Sequence, residues 1–271
     1  IRQMGDKSEA KAQMKAAGVP ILPGSDGVVP DAAAALALAD GIGYPVILKA
    51  RDGGGGKGMR VISSRTDLPR LFETAQAEAA AAFGNGALYL ERYLQTTRHV
   101  EIQLMADTHG NVIHLFERDC SIQRRHQKLV EESPSPGLDP RTRAEMGRVA
   151  CEGAKRIGYR GAGTMEFLLD PDGSFYFMEM NTRLQVEHPV TEMVTGLDLV
   201  KLQIEVAAGE RLPLGQAEVR QSGHAIECRI NAESPAKGFR PSPGAIRRFQ
   251  PPGGPGVRLD SHLFGGYVVP P

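Results

Sequence analysis

Residues 175–190, FYFMEMNTRLQVEHPV, decide how this chain is read. Taken as extended backbone, the stretch sets Glu179, Asn181, Arg183, Gln185 and Glu187 at every second position, so all five project to one face. Met180, Thr182, Leu184, Val186 and His188 take the other face. A row of two carboxylates, two amides and a guanidinium is costly to bury without a ligand. It suits a site that holds a metal ion and a small oxyanion. The alternative is a solvated edge strand with a salt bridge, and placement in a cleft separates the two.

The preceding segment sharpens this. Residues 163–169, GTMEFLL, and 174–179, SFYFME, are strand-like runs around the Asp170-Pro171-Asp172-Gly173 turn. With Asp172 and Gly173 as the two central residues of a tight hairpin, Glu166 faces Glu179 directly. Two carboxylates that close destabilise a sheet unless a cation lies between them. Hard oxygen ligands that leave room for phosphates favour magnesium.

At 271 residues the chain is long enough for a large core and for more than one domain. Lys plus Arg and Asp plus Glu balance at 32 each, and no long like-charge run occurs, which argues against nucleic-acid binding through a basic surface. The longest apolar run, residues 32–39, is far too short to span a bilayer, and no charged-then-apolar signal opens the chain. Three cysteines without metal-ligand spacing fit buried thiols in a reduced, cytoplasmic setting. The start at Ile1 and the stop at Pro271 are read as a longer protein trimmed at both ends.

Along the chain, residues 6–18 and 31–41 read as helices, 44–50 and 59–63 as strands, and 67–83 as an alanine-rich helix. Between the first two strands stands RDGGGGKG, residues 51–58. It fails both the dinucleotide fingerprint, which needs a following helix, and the P-loop, which needs Ser or Thr after Gly-Lys. A glycine lid closing over a nucleotide is the functional reading, a passive loop the bland one. Lys7 in a helix's first turn is oddly placed against the dipole unless it serves an anion. Residues 88–94, 98–105 and 112–117 read as strands, with backbone near Glu91 and Leu94 open to an adenine base. Residues 118–132, RDCSIQRRHQKLVEE, read as a mixed-charge loop: either a solvated surface or a phosphate and bicarbonate clamp with Gln123, His126 and Lys128 turned into a cleft. Helices are expected over 140–158 and 191–209, and a strand over 223–231. Glycine and proline then punctuate a β-rich segment through residue 271.

Together these stretches resemble the ATP-grasp domain of biotin carboxylase. The matching segments are MGDK at 4–7, YPVILKA at 44–50, the GGGGKGM lid, RHVEIQ at 98–103, ERDCSIQRRHQK at 117–128, MEMNTRLQVEHPVTEM at 178–193 and ECRINAE at 227–233. The ending, VRLDSHLFGGYVVPP, looks most like the biotin carboxylase subunit of acetyl-CoA carboxylase. The resemblance implies an α+β ATP-grasp domain over 1–210, with a mobile lid subdomain over about 21–93, and an incomplete β-rich C-terminal domain over 211–271.

The resemblance also implies roles. Lys7, Lys49 and the lid glycines Gly53, Gly54, Gly55 and Gly56 match ATP-phosphate contacts. Glu91 and Leu94 match the adenine hinge, and His99, Gln123 and His126 further nucleotide contacts. Glu166, Glu179 and Asn181 match the magnesium (or manganese) ligands. Lys128, Arg183, Gln185, Val186 and Glu187 match the bicarbonate pocket, and Arg229 the arginine that steadies the biotin enolate. The implied reaction is ATP-dependent carboxylation of biotin through carboxyphosphate, with Glu187 as base. The implied partners are biotin carboxyl carrier protein and carboxyltransferase subunits, with a homodimer as the usual assembly.

Overall fold

The computed structural model describes residue 4, residues 7–53 and residues 58–270, the side chains of Lys7 and Ser8 excepted. Its elements are α1 (Lys7–Ala16), α2 (Ala32–Ile42), β1 (Val46–Ala50), β2 (Met59–Ile62), α3 (Leu68–Phe83), β3 (Leu88–Arg92), β4 (Arg98–Ala106), β5 (Val112–Arg124), β6 (Gln127–Ser133), α4 (Pro140–Arg156), β7 (Gly161–Leu169), β8 (Phe175–Asn181), α5 (His188–Thr195), α6 (Leu199–Ala207) and β9 (Ala225–Cys228). The mixture of helices and antiparallel sheets is the α+β content expected.

Two compact units divide the chain, Ile1–Cys228 and Arg229–Pro271. In the first, β8-β7-β4-β5-β6-β9 form a six-stranded antiparallel sheet. One face is apolar: Val100, Ile102, Leu104, Met165 and Phe167 pack with Met14 of α1 and Met146, Val149 and Ala150 of α4. The other face is split. Met105, Ile113, Leu115 and Ala162 pack under Leu199, Leu202 and Val206 of α6; the rest of that face carries the polar residues described below. Period-two alternation produces this division: His99, Glu101, Gln103 and Met105 stand opposite the apolar residues of the same strand.

A three-stranded sheet, β2-β1-β3, packs its Val46, Leu48, Leu88 and Leu90 against α2 and α3. Asp31 caps α2 by accepting from the Ala34 N–H at 2.8 Å. Residues 20–25 stitch the two sheets together. The Phe177 N–H of β8 donates to Pro20 O at 2.7 Å, and the Arg92 N–H of β3 donates to Pro23 O at 2.8 Å. Gly24 makes this approach possible, because a Cβ there would lie 2.5 Å from Leu90 O.

The second unit holds two short strand pairs, Glu233–Ser234 with Arg240–Pro241 and Gly244–Ala245 with Val268–Val269, and a 3-10 turn at Pro235–Lys237.

Four expectations change. The central stretch is a strand only to Asn181; residues 182–187 turn into α5, whose first turn accepts Pro189 because that position needs no N–H. Residues 118–132 are a hairpin, with Arg124 paired to Gln127 across a two-residue turn. Arg125 and His126 hold φ of 50° and 66° there, the left-handed region such a turn requires. The helix expected over 191–209 is two helices, because Gly196 adopts φ 71° and closes α5 before Asp198 caps α6. Finally, the 170–173 turn is one residue longer than a two-residue hairpin: Leu169 pairs Phe175, and the Asp170 N–H donates to Ser174 O. A bulge between Glu166 and Phe167 takes up that extra residue, so Glu166 still faces Glu179.

Candidate active site

A transverse row of charged residues crosses the large sheet. Arg118 of β5 pairs Glu101 of β4, Glu101 pairs Glu166 of β7, and Glu166 pairs Glu179 of β8. Two positions along lie Gln103, Thr164 and Asn181, again neighbours strand to strand. Arg118, Glu101, Gln103, Thr164 and Glu166 are all buried. Charged groups persist in such a place only when paired and hydrogen-bonded.

Lys128 of β6 is the centre of the pairing. Its Nζ lies 2.8 Å from Glu166 Oε1 and 2.6 Å from Glu187 Oε1, and it also contacts Glu101 Oε2. Burial opposes its charge, but these carboxylates outweigh burial and raise its pKa, so Lys128 stays an ammonium. Burial likewise pushes Glu166 up, yet bonds from His99 and Lys128 hold its carboxyl down at about 2. For Glu101, burial again opposes ionisation, and the Arg118 and Lys128 charges more than offset it, leaving the pKa lowered. His99 Nε2 lies 2.9 Å from Glu166 Oε2.

The loop after β8 completes the cluster. The Asn181 side-chain amide donates to Glu166 Oε1 at 2.8 Å, and that of Gln185 to the same oxygen at 3.0 Å. Glu187 is only 2% exposed. Thus Gln185 and Glu187 do reach the side that Glu179 and Asn181 face, through a turn rather than strand alternation. Arg183 and Val186 stand exposed on the loop's rim, with Arg183 donating to Leu184 O at 3.3 Å.

The residues fit a divalent cation. Glu179 is half-buried and faces a second carboxylate across the strand pair, and its side chain makes no hydrogen bond or ion pair to the described residues. A cation would relieve that like-charge pairing. With Asn181, the donors are all oxygens of the kind magnesium prefers.

A second cluster sits on the small sheet. Lys49 Nζ lies 2.6 Å from Glu91 Oε2, and Lys11 of α1 contacts the other oxygen of Glu91. Lys11 also lies over the Tyr89 ring, 5.1 Å from its centroid. Burial, followed by the charge of Glu179, lifts the Tyr89 hydroxyl to about 12. Leu94 is half-buried just beyond β3.

Gln123 donates to Cys120 O at 2.8 Å, and His126 is exposed on its turn. Gln123 is half-buried and stands directly opposite Lys128 across the hairpin, which sets it beside the cluster, whereas His126 stays out on the turn. Arg229 opens the second unit. The side chain of Lys7 and the glycines Gly54, Gly55 and Gly56 lie outside the described residues; Gly53 donates its N–H to Ala50 O at 3.1 Å.

Two residues at the heart of the cluster, Glu101 and Arg118, were not singled out as site residues from the sequence. The signal was present: His99, Glu101 and Gln103 alternate with Val100, Ile102 and Leu104, the same pattern that marked residues 179–187.

Residues 6–215 match the family described as carbamoyl-phosphate synthase L chain, ATP binding domain, and residues 227–271 match the biotin carboxylase C-terminal domain. The chain is 60% identical, over its whole length, to a biotin carboxylase of Nostoc sp., and covers 61% of that protein. A crystal structure of a biotin carboxylase–β,γ-ATP complex from Campylobacter jejuni is 55% identical, with a TM-score of 0.92, covering 99% of this chain and 60% of that one. The biotin carboxylase domain dimer of Hydrogenobacter thermophilus 2-oxoglutarate carboxylase, in complex with MgADP, ADP and bicarbonate, is 54% identical with a TM-score of 0.91, over 100% of this chain and 60% of that one. The chain therefore spans about 60% of the length of the relatives it matches, and its fold is the ATP-grasp fold expected from the sequence.

Proposed function

Starting from a chain that belongs to the carbamoyl-phosphate synthase L chain ATP-binding family, and within it to the biotin carboxylases, we propose that it carboxylates biotin with ATP and bicarbonate. The observation that carries this reading is the convergence of Glu101, Glu166 and Glu187 on Lys128, with the Gln185 amide donating to Glu166 and Glu179 standing opposite Glu166 across the strand pair. A pocket for bicarbonate needs a base, a cation and amide donors within reach of one another, next to a site for metal-bound phosphates.

Glu187 is the base. Its carboxylate is buried, within 2.6 Å of an ammonium, where it can take the bicarbonate proton while Lys128 holds the anion's charge. Gln185 and Arg183 orient the bicarbonate oxygens. Glu166, Glu179 and Asn181 hold magnesium or manganese, which when bound neutralises charge on the β- and γ-phosphates. Lys49, with Lys7 and the lid glycines 53–56, holds the phosphates. Glu91 and Leu94 line the adenine end, with His99, Gln123 and His126 as further nucleotide contacts. The bicarbonate oxygen attacks the γ-phosphorus, giving carboxyphosphate and ADP. Carboxyphosphate then yields carbon dioxide and phosphate, the phosphate takes the biotin N1′ proton, Arg229 steadies the resulting enolate, and N1′ attacks the carbon dioxide to give carboxybiotin. Positioning and charge neutralisation supply most of the acceleration.

We place the chemistry in the first half-reaction of acetyl-CoA carboxylase, in the cytoplasm, ahead of fatty acid synthesis. Biotin on its carrier protein is the acceptor, carboxyltransferase subunits take the product, and a homodimer is the assembly. We place the ATP-grasp domain over 1–210 and the C-terminal domain from 211, although the compact units part later, between Cys228 and Arg229. Among the described residues no helix is long and apolar enough to cross a membrane.

The test is phosphate release from MgATP with and without bicarbonate, each with and without free biotin. Release that needs bicarbonate and rises with biotin is expected. Release indifferent to bicarbonate overturns the reading in favour of another ATP-grasp acceptor; nucleotide binding with no release in any arm makes this chain a binding fragment.

A further inference from the structure

We propose that Arg118 is a positioning residue for the bicarbonate pocket: it fixes which end of the Gln185 amide faces the site and where Glu101 holds Lys128. The proposal rests on the function argued above. Arg118 is 0% exposed, and it is first among the largest fully buried side chains. A guanidinium offers five N–H groups and accepts nothing. All five are used. The Nε donates to Glu101 Oε1 at 2.6 Å. The Nη1 donates to Gln103 Oε1 at 2.6 Å and to Thr191 Oγ1 at 2.9 Å. The Nη2 donates to Thr164 Oγ1 and to Gln185 Oε1, each at 3.2 Å. The acceptors come from β4, β7, α5 and the loop between β8 and α5, so one rigid plane ties four parts of the site.

Two consequences follow from donor and acceptor chemistry alone. Gln185 has a carbonyl end and an NH2 end. Arg118 can meet only the carbonyl, and the ionised Glu166 can meet only the NH2, which donates to it at 3.0 Å. The amide's orientation is therefore dictated by Arg118 on one side and Glu166 on the other. Second, Glu101 divides its oxygens. Oε1 takes Arg118 and Oε2 takes Lys128, which holds the ammonium where it also meets Glu166 and Glu187. A lysine at 118 has three N–H groups on one atom and leaves at least two of the five acceptors without their donor.

Two variants test this, Arg118→Lys and Thr191→Val, the second removing one acceptor while keeping shape and charge. The readouts are kcat and the separate KM values for bicarbonate and MgATP in bicarbonate-dependent phosphate release, with a melting curve for each protein. Arg118→Lys is expected to raise the bicarbonate KM about tenfold or more while moving the MgATP KM less than about twofold. Thr191→Val should move the bicarbonate KM the same way by about threefold. A merely structural role would lower the active fraction, so kcat would fall with both KM values unchanged, and that result overturns the proposal. If Arg118→Lys does not fold, an unchanged bicarbonate KM in Thr191→Val overturns it instead. A wild type without bicarbonate-dependent release defeats the functional reading alone. The crystal structure of Arg118→Lys then decides: a turned Gln185 amide or a Lys128 displaced from Glu187 supports the role, and an unmoved pair ends it.

Discussion

The two charged clusters of the first unit are built to opposite charge ratios. On the small sheet, one carboxylate, Glu91, meets two ammonium groups, Lys11 and Lys49. On the large sheet, three carboxylates, Glu101, Glu166 and Glu187, meet Lys128, Arg118 also pairs Glu101, and a fourth carboxylate, Glu179, stands opposite Glu166. Counted over these described residues alone, the first group is formally positive and the second formally negative. Under the proposed function, a phosphate chain suits the first and a metal ion the second. Metal-bound triphosphate satisfies both at once, and the raised Tyr89, which feels the charge of Glu179, lies where the two fields meet.

The contrast can be broken most decisively at Glu187. Glu187→Gln is expected to lower bicarbonate-dependent phosphate release by about 10²- to 10⁴-fold, the usual worth of a positioned base; a variant with full activity removes Glu187 from that role. Glu166→Gln takes charge from the negative side. The metal concentration giving half-maximal rate should rise about 10- to 100-fold, read from a magnesium titration at saturating ATP. Lys49→Met acts on the positive side and should instead raise the MgATP KM about tenfold, with little change in the metal titration. If these two variants shift both parameters alike, the division of labour is wrong.

The smallest effect concerns stability. Glu166 is held at about 2 against an ordinary 4.5, so its folded pKa is depressed. Its contribution is fully present above about 4.5 and is lost as pH falls toward about 2. Urea midpoints at pH 7, 4.5 and 3 should fall over that window in the wild type and fall less in Glu166→Gln. Equal slopes would separate the bonds around Glu166 from stability.

Much of the site was legible in the sequence because two-residue periodicity survives without tertiary knowledge. Glu166 opposite Glu179 followed from spacing, and Lys128 in one pocket with Glu187 followed from resemblance. What periodicity could not reveal was that residues 182–187 leave the strand yet bring Gln185 and Glu187 to the same side, since a turn has no period. It also could not show that the charged run at 118–132 is a hairpin. There, charge at Arg124, Arg125 and Lys128 masks β-character, and a two-residue turn with no glycine carries little local signal. Arg118 was seen only as one of several basic residues; its burial is a property of five partners spread over some ninety positions, from Glu101 to Thr191.

The bulge between Glu166 and Phe167 has a consequence for how this hairpin tolerates change. It reverses the phase of the alternation: Phe177 stays in the apolar core while Glu179, two positions on, faces the other carboxylate, with Met178 as the extra residue between them. Straightening it with the carboxylates held in place would turn Phe175 and Phe177 onto the polar face. A tip shortened by one residue therefore calls for compensating apolar substitutions along the outer half of the hairpin.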